Sequence, residues 1–325
     1  MKLCFEQSSE LYYSSFLFHI VDVGYNTYVQ SIASSLDGSR LAISGGSGIF
    51  ISTTQGASWT LILPPYQSWT SITSSSDGLK LAVLSHQGCV YTSTNGGATW
   101  KLSQSIQISS SFYQSSPMRI TSSSDGLNIA AATYFMIHIS SNGGASWKTI
   151  SIPGASSWSA IVSSSDGSRI AASASSGGGI YISSDAGATW NKTLTSDNSM
   201  SIATSSDGLK LVVVGPGAMY NSVDGGATWS QMASQFSIWS AVPIASSSDG
   251  SKLAIYTSLY SGLAGIYISV DSGMSWNQTL ATNHVSALNV SPDGSVLTAI
   301  LSAAGGGANI VYVSVDGGLS WRIAL

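Results

Sequence analysis

Charged residues are scarce in this sequence of 325 residues. They make up only 8% of the chain, whereas about 25% is usual for a soluble domain, yet hydrophobic residues reach 43%. A disordered chain combines low hydrophobicity with high net charge, so this composition argues against disorder. No apolar run of about 18 residues occurs either, which argues against a membrane-spanning helix. The sequence therefore predicts a folded chain whose polarity comes from Ser, Thr, Gly and Asn.

Basic residues and cysteines are also few. Eleven Lys and Arg stand against 15 Asp and Glu, so the chain lacks the cationic stripe that binds nucleic acid or anionic membranes. The two cysteines, Cys4 and Cys89, do not make a disulfide framework, a zinc site or a redox motif. Cys89 lies in an apolar run and is expected to be a buried core thiol. The four histidines lack metal-ligand spacing, so we expect no metal and no cofactor.

Two short motifs recur along the chain. The first is a Ser-rich Asp-Gly turn, with its aspartates at Asp37, Asp77, Asp125, Asp166, Asp207, Asp249 and Asp293. The second follows each copy and reads S-x-[D/N/T]-x-G-x-[S/T]-W. Its tryptophans are Trp59, Trp100, Trp147, Trp190, Trp229, Trp276 and Trp321, and its turn residues include Asn95, Asn142, Asp185, Asp224, Asp271 and Asp316. Seven units of roughly 40–48 residues match the period of propeller blades.

One unit reads as four strands. In the second unit we expect strands at 69–75, 79–84, 89–93 and 99–102, because Asp-Gly between alternating runs is a strong hairpin signal. The Trp of the second motif is expected on the fourth strand, packed between neighbouring sheets. Thr54 replaces the turn Asp in the first unit and should cap its turn less well. The sequence thus predicts an all-β, seven-bladed propeller of four-stranded antiparallel blades.

These motifs resemble a known group of repeats. S-x-D-x-G-x-T-W looks like the Asp-box of BNR repeats, found in sialidases, sortilin-type receptors and family 74 xyloglucanases, and related in fold to WD40/YVTN-like propellers. The combined spacing is most similar to photosystem II stability/assembly factor-like propellers, over about residues 25–325. That resemblance implies a chaperone-like role in complex assembly. It is also associated with an arginine patch, for which the four scattered arginines of this chain provide no counterpart.

The variable loops are expected to carry the function. Both motifs map to one face of a propeller, so the loops that differ between units lie on the other face, where binding residues usually occur. Aromatic residues there could stack on sugars or anchor a protein. For Trp69, Trp158 and Trp239 the alternative is that they only fill space between blades. The candidate ligand-binding residues are Tyr66, Trp69, Phe112, Tyr113, Arg119, Tyr134, Trp158, Trp239, Tyr256 and Tyr260.

Catalysis is not expected. A glycosidase needs two carboxyl groups flanking the bond, but the only glutamates are Glu6 and Glu10, and only Asp22 and Asp197 fall outside the motifs. We therefore expect a non-catalytic scaffold that binds a protein or a glycan through the variable loops. The alternative is a secreted carbohydrate-active protein, either a lectin or a family 74-like glycoside hydrolase.

Domain boundaries and location complete the prediction. Residues 1–24 read as an N-terminal extension that could supply a closing strand, and residues 25–325 as the propeller. We expect a monomer that binds neither nucleic acid nor a membrane by a spanning segment. Composition and the sequons at Asn191, Asn277 and Asn289 favour an extracellular or secretory location, although no clear signal peptide is present.

Overall fold

The computed structural model of the chain describes residues 29–46, 48–62, 68–105, 118–176, 178–195, 200–232, 236, 238, 242–257, 264–282, 284–301 and 309–324. These residues form 28 strands and contain no helix. The strands group into seven sheets, each of four consecutive antiparallel strands in sequence order. The predicted propeller of seven four-stranded blades is confirmed.

Each blade occupies one stretch of the chain. Blade 1 has β1 (Val29–Ser34), β2 (Leu41–Gly45), β3 (Gly48–Ser52) and β4 (Thr60–Ile62). Blade 2 has β5 (Trp69–Ser74), β6 (Leu81–Ser85), β7 (Cys89–Ser93) and β8 (Lys101–Ser105). Blade 3 has β9 (Arg119–Ser122), β10 (Ile129–Ala132), β11 (Ile137–Ser140) and β12 (Lys148–Ile150). Blade 4 has β13 (Ser156–Ser163), β14 (Ile170–Ser176), β15 (Gly179–Ser183) and β16 (Asn191–Leu194).

The last three blades follow the same plan. Blade 5 has β17 (Ser201–Thr204), β18 (Leu211–Gly215), β19 (Ala218–Ser222) and β20 (Ser230–Gln231). Blade 6 has β21 (Ile244–Ser246), β22 (Leu253–Thr257), β23 (Gly265–Ser269) and β24 (Asn277–Ala281). Blade 7 has β25 (Val285–Val290), β26 (Leu297–Leu301), β27 (Ile310–Ser314) and β28 (Arg322–Ile323).

The motif tryptophans mark the start of each fourth strand. Each Trp is the residue immediately before that strand, so the expectation that it lies on the strand is wrong by one position. Packing between sheets is as expected. Trp100, for example, packs against the hydrophobic cluster that blades 1 and 2 form together. Buried second and third strands, such as β6 and β7, fill the space between successive sheets.

The first strands form the inner ring. β1 contacts β5, β5 contacts β9, and the series continues through β13, β17, β21 and β25, which in turn contacts β1. Blade 7 receives its fourth strand, β28, from the segment after Trp321, so blade 7 is complete in consecutive strands. The segment 16–23, considered as a closing strand from the sequence, lies outside the described residues.

Backbone hydrogen bonds join the Asp-Gly turns of successive blades. The residue before each turn Asp donates its N–H to the carbonyl of the equivalent residue in the next blade, starting with Leu36 and ending at Pro292. The six links run through Leu36, Ser76, Ser124, Ser165, Ser206, Ser248 and Pro292. Because proline has no N–H, a seventh link from Pro292 back to Leu36 cannot form.

The side chain three residues after the Asp of each Asp-Gly turn also contacts the Asp-Gly turn of the next blade. Lys80 Nζ donates to Asp125 O at 2.7 Å, and Lys210 Nζ donates to Asp249 O at 2.8 Å. In blade 7 the position is Val296, which packs against Gly38 of blade 1 instead. The interface between blades 7 and 1 therefore replaces polar links with apolar packing, supplemented by the bond from Asn289 Nδ2 to Ser34 Oγ at 2.9 Å.

Two findings concern the cysteine and membrane expectations. Cys89 is buried in the core between blades 1 and 2, as expected, but it is disulfide-bonded, so the expectation of a free thiol is wrong. The other cysteine of the sequence, Cys4, lies outside the described residues.

In the described part of the chain, no helix has the length and hydropathy needed to cross a membrane.

Candidate functional site

The propeller has two different ends. We call the end that carries the turns between first and second strands, and between third and fourth strands, the turn end. The other end, where first strands begin and second strands connect to third strands, is the loop end. Every carboxylate side chain among the described residues belongs to one of the motif turns, and all eleven therefore lie at the turn end.

The carboxylates at the turn end are held by their own turns. In blade 5, Asp224 accepts hydrogen bonds from Thr228 N at 2.9 Å, Thr228 Oγ1 at 2.6 Å and Ser222 Oγ at 2.8 Å. These bonds, with the Thr228 hydroxyl first, lower the pKa of Asp224 to about 2. The Asp-Gly turns use the same chemistry. In blade 2, Asp77 accepts hydrogen bonds from Ser75 Oγ at 2.5 Å and Leu79 N at 2.9 Å.

The two turns of a blade also bind each other. In blade 5, Gly225 N donates to Leu209 O at 2.9 Å, and in blade 2, Gly96 N donates to Leu79 O at 2.8 Å. In the first blade Thr54 Oγ1 takes the place of a carboxylate and accepts the N–H of Ser58 at 2.8 Å. Carboxylates fixed in this way are ionised and already hydrogen-bonded, which makes them unsuited to act as a general acid or a nucleophile.

Three polar side chains from blades 1, 2 and 3 define the loop end near the inner ring. Arg119 opens β9, and its guanidinium donates to Met118 O at 3.3 Å. His86 lies between β6 and β7, and its Nε2 is 3.3 Å from Gln30 Nε2 on β1. Burial, and secondly the positive charge of Arg119, lower the pKa of His86. His86 is therefore neutral at pH 7, and Arg119 is the charged member of this group.

Aromatic side chains lie at the same end, in blades 3 and 6. Tyr134 and Phe135, between β10 and β11, meet edge to face with ring centroids 4.4 Å apart. Tyr134 is half-buried and Phe135 is exposed, while Tyr134 O accepts Ser157 N of blade 4 at 2.6 Å. In blade 6 the hydroxyl of Tyr256 accepts the N–H of His284 at 2.7 Å. These contacts hold the loop end aromatics against neighbouring blades.

The tryptophans expected at the channel mouth occupy a different environment. Trp69 and Trp158 are both 0% exposed. Trp69 meets Tyr91 edge to face at 5.5 Å, and Trp158 meets Tyr181 at 5.4 Å, inside the core clusters between blades. Of the two readings left open from the sequence, this geometry matches the one in which they fill the space between blades. The remaining candidates, Tyr66, Phe112, Tyr113, Trp239 and Tyr260, lie outside the described residues.

The structure places three of the candidates at the loop end and adds two further residues there. Arg119, Tyr134 and Tyr256 lie at one end, as the position of their segments suggested. Gln30 and His284 were not predicted as part of this end, because neither belongs to a motif and no local pattern marks them. Among the described residues, no three His, Cys, Asp or Glu side chains are grouped closely enough to hold a metal ion.

Comparison with known proteins gives a likeness in structure only. No family model matches the sequence, and no curated protein matches it. The solved structure of YCF48 bound to D1 peptide aligns with a TM-score of 0.59 and 11% identity, over 94% of each chain. YCF48 from Cyanidioschyzon merolae aligns with a TM-score of 0.60 and 14% identity, over 91% of this chain and 95% of that chain. The chain therefore has the seven-bladed propeller fold of YCF48, a photosystem II assembly factor, which confirms at the level of the fold the resemblance carried by its motifs.

Proposed function

We propose that this chain is a non-catalytic scaffold that binds a protein segment through its loop end, where Arg119 receives a carboxylate of that segment. The proposal is carried by the separation of charge between the two ends. All eleven described carboxylates are engaged in turns at the turn end, whereas Arg119 stands at the loop end. Arg119 is half-buried, and a guanidinium partly withdrawn from water gains from an ionised, bidentate partner.

The surroundings of Arg119 support this role. Burial lowers the pKa of Arg119, and within the described part of the chain its guanidinium donates a hydrogen bond only to the carbonyl of the adjacent Met118. The neutral His86 and the amide of Gln30 add polar groups without adding a competing negative charge. Half-buried Tyr134 and exposed Phe135 offer an aromatic surface at the same end of the same blade as the cation, and aromatic and arginine side chains are the ones that commonly anchor a protein partner.

The fold supports a protein as the partner. One of the solved structures with this fold is YCF48 bound to D1 peptide, so a propeller of this size and blade number can hold a peptide. The aromatic residues of the loop end would also suit a glycan, but a glycan does not require the cation. Dependence of binding on Arg119 therefore separates the protein proposal from the glycan alternative.

A peptide-display selection tests the proposal. The folded chain is immobilised and exposed to a library of random peptides with free carboxyl termini, and the enriched peptides are then synthesised and their dissociation constants measured. We expect enriched peptides to carry Asp, Glu or a terminal carboxylate in a common position. Arg119→Met should weaken their binding at least tenfold, because it removes the cation and keeps much of the side-chain volume.

The control is a cation elsewhere on the surface. Lys148→Met removes the same charge from β12, on an exposed side chain, and should leave the dissociation constants within twofold of those of the unmodified chain. Equal binding by the Arg119→Met variant would overturn the role of Arg119. Enrichment of no peptide, together with binding on a glycan array or release of reducing sugar from a polysaccharide, would overturn the scaffold proposal as a whole.

A further inference from the structure

The turn end carries exposed apolar side chains that the fold does not require. They lie in the turns between third and fourth strands of blades 5, 6 and 7. Five are large and exposed: Val223 (69%), Val270 (65%), Met274 (84%), Val315 (47%) and Leu319 (85%). We call these five residues the apolar arc, because blades 5, 6 and 7 are successive members of the ring. Exposed apolar surface is typical of an interaction site when several such side chains share one part of the surface, as these do in the turns of three neighbouring blades.

The other four blades serve as an internal control. Two turn positions are compared: the residue before, and the third residue after, the Asp, Asn or Thr of the motif that precedes each tryptophan. In blades 1 to 4 both positions hold small or hydroxyl-bearing side chains. In blades 1 to 4 these pairs are Thr53 and Ala57, Thr94 and Ala98, Ser141 and Ala145, and Ser184 and Ala188. The turns of blades 2 and 5 nevertheless make the same bonds, since Gly97 N reaches Ser93 Oγ at 2.9 Å and Gly226 N reaches Ser222 Oγ at 2.8 Å. The turn fold thus needs no large apolar residue at either position.

Fixed negative charge is interleaved with the apolar arc. Asp224, Asp271 and Asp316 directly follow Val223, Val270 and Val315. Hydrogen bonds from the turn hydroxyls and N–H groups hold the pKa of Asp271 at about 2 and keep that of Asp316 well below its ordinary value. These carboxylates are therefore ionised at any physiological pH. Three cations lie nearby: Arg169 Nη1 lies against Gly225 and Lys252 Nζ against Gly317, while Lys210 and Lys252 donate hydrogen bonds to carbonyls of the next blade.

We propose that the apolar arc is a second docking surface, which binds a cationic amphipathic helix of a partner protein. Such a helix presents apolar residues to the arc and lysines or arginines to the three carboxylates. A second copy of this chain would place carboxylates against carboxylates, and an anionic lipid surface would be repelled by them. The charge of the arc therefore favours a cationic segment over both. This surface lies at the end opposite Arg119, so the two proposals are independent.

The test replaces the five residues of the apolar arc with residue types that blades 1 to 4 carry at the equivalent turn positions. The arc variant combines Val223→Thr, Val270→Thr, Met274→Ala, Val315→Ser and Leu319→Ala, which gives blades 5 to 7 the residue types of blades 1 to 4. Its melting temperature should match that of the unmodified chain. The probes are two synthetic helical peptides of equal length with the same Leu face, one carrying lysines and the other glutamates on the polar face.

Fluorescence anisotropy gives the affinity of each peptide. We expect the unmodified chain to bind the Leu/Lys peptide and the arc variant to bind it about tenfold more weakly or worse. For the unmodified chain, about 0.5 M salt should also weaken the binding, because it screens the attraction between lysines and carboxylates. The Leu/Glu peptide should not bind. As a matched control, Leu79→Ser with Leu127→Ser removes two exposed leucines of the same end outside the arc, and should leave binding unchanged.

Several outcomes contradict the proposal. Equal binding of the Leu/Lys peptide by the arc variant and the unmodified chain would show that the arc is not the docking surface. Equal binding of both peptides would show that the carboxylates do not select the partner. A dimer in sedimentation that dissociates in the arc variant would assign the surface to a second copy, and sedimentation with anionic vesicles that the variant loses would assign it to lipid.

Discussion

The indole Nε1 of Trp229 in blade 5 donates a hydrogen bond to Thr193 Oγ1 of blade 4 at 3.1 Å. Thr193 is the third residue after Trp190, and the same relationship joins Trp147 to Ser103 at 3.0 Å and Trp321 to Thr279 at 3.3 Å. Where the third residue is Ile62 or Ala324, the buried Nε1 of the next tryptophan, Trp100 or Trp59, has no hydrogen-bond partner. A hydroxyl at this position supplies an acceptor for the next indole, whereas Trp190 and Trp276 donate instead to carbonyls of their own turns, Gly187 O and Gly273 O.

Removing this hydroxyl should weaken the interface between blades 4 and 5. Thr193→Val keeps the shape of the side chain but leaves the Trp229 N–H without its acceptor, and we expect a loss of about 1 kcal/mol in the free energy of unfolding. Urea unfolding followed by tryptophan fluorescence measures the loss. Thr193→Ser retains the oxygen and serves as the control. A Val variant as stable as the Ser variant would show that the bond contributes nothing.

The first blade lacks a carboxylate in its second turn, and supplying one should stabilise it. Thr54→Asp allows the two oxygens to accept both the N–H and the hydroxyl of Ser58, as Asp224 does with Thr228. We expect a rise of about 2 °C in melting temperature at pH 7. Asp224→Thr, the reverse change in blade 5, should lower the melting temperature.

The pH dependence of this gain has a definite sign. The pKa of Asp185, Asp224 and Asp271 is lowered to about 2 by their turn hydrogen bonds, below the value in an unfolded chain. Stability from such groups is present above about pH 4 and is lost as the pH falls from about 4 toward 2. The advantage of Thr54→Asp over the unmodified chain should therefore disappear in that window. An advantage that persists at pH 2 would contradict the hydrogen-bond explanation.

His138 should make the fold sensitive to mild acid. It is buried on β11, its Nδ1 lies 3.0 Å from Thr149 Oγ1, and burial lowers its pKa to about 4. Because the unfolded chain takes up this proton nearer pH 6.5, stability should fall by up to about 3 kcal/mol as the pH decreases from 6.5 to 4. Urea unfolding at several pH values measures the slope. His138→Asn, which cannot titrate there, should flatten it, and an unchanged slope would exclude His138 as its source.

The interface between blades 7 and 1 should be intolerant of added volume. A Cβ at Gly38 would lie 2.6 Å from Val296 Cγ2, whereas a Cβ at Gly217 would meet nothing within 4 Å. Both glycines have positive φ, at 66° and 77°, so alanine costs about 1–2 kcal/mol of backbone strain at either site. Gly38→Ala should cost about 1–3 kcal/mol more than Gly217→Ala in unfolding free energy. Equal losses would mean that Val296 moves aside freely.

The blade pattern could be predicted from the sequence because each signal is local and occurs seven times. The Asp-Gly turn and the turn before each tryptophan locate both hairpins of a blade, and the third strand predicted at 89–93 is observed as Cys89–Ser93. The strand expected at 79–84 begins at Leu81 instead, since Leu79 and Lys80 still belong to the turn, where Leu79 O accepts Gly96 N.

The candidate site could be predicted only in part. Arg119 stood out in the sequence because it alone among the arginines has no motif position, and the structure places it at the loop end. Its neighbours Gln30 and His86 come from blades 1 and 2 and are 56 residues apart, so no local pattern could pair them. The apolar arc does not follow from the sequence either, because its residues occupy variable positions inside the repeated turn motif, whose face the sequence marks as mostly structural.

Closure of the ring has a kinetic consequence. Most interfaces between blades join residues some 45 positions apart, as between Lys80 and Asp125, but Asn289 and Ser34 of the last interface are 255 positions apart. Closing the longer loop costs about 1.5 kcal/mol more in chain entropy. Blades can thus dock one after another along the chain, while the contact of blade 7 with blade 1 forms last and dominates the contact order that limits the folding rate. An open ring of seven blades joined by six interfaces is consequently the expected intermediate, and the apolar faces of blades 7 and 1 that later pack together are its exposed surfaces.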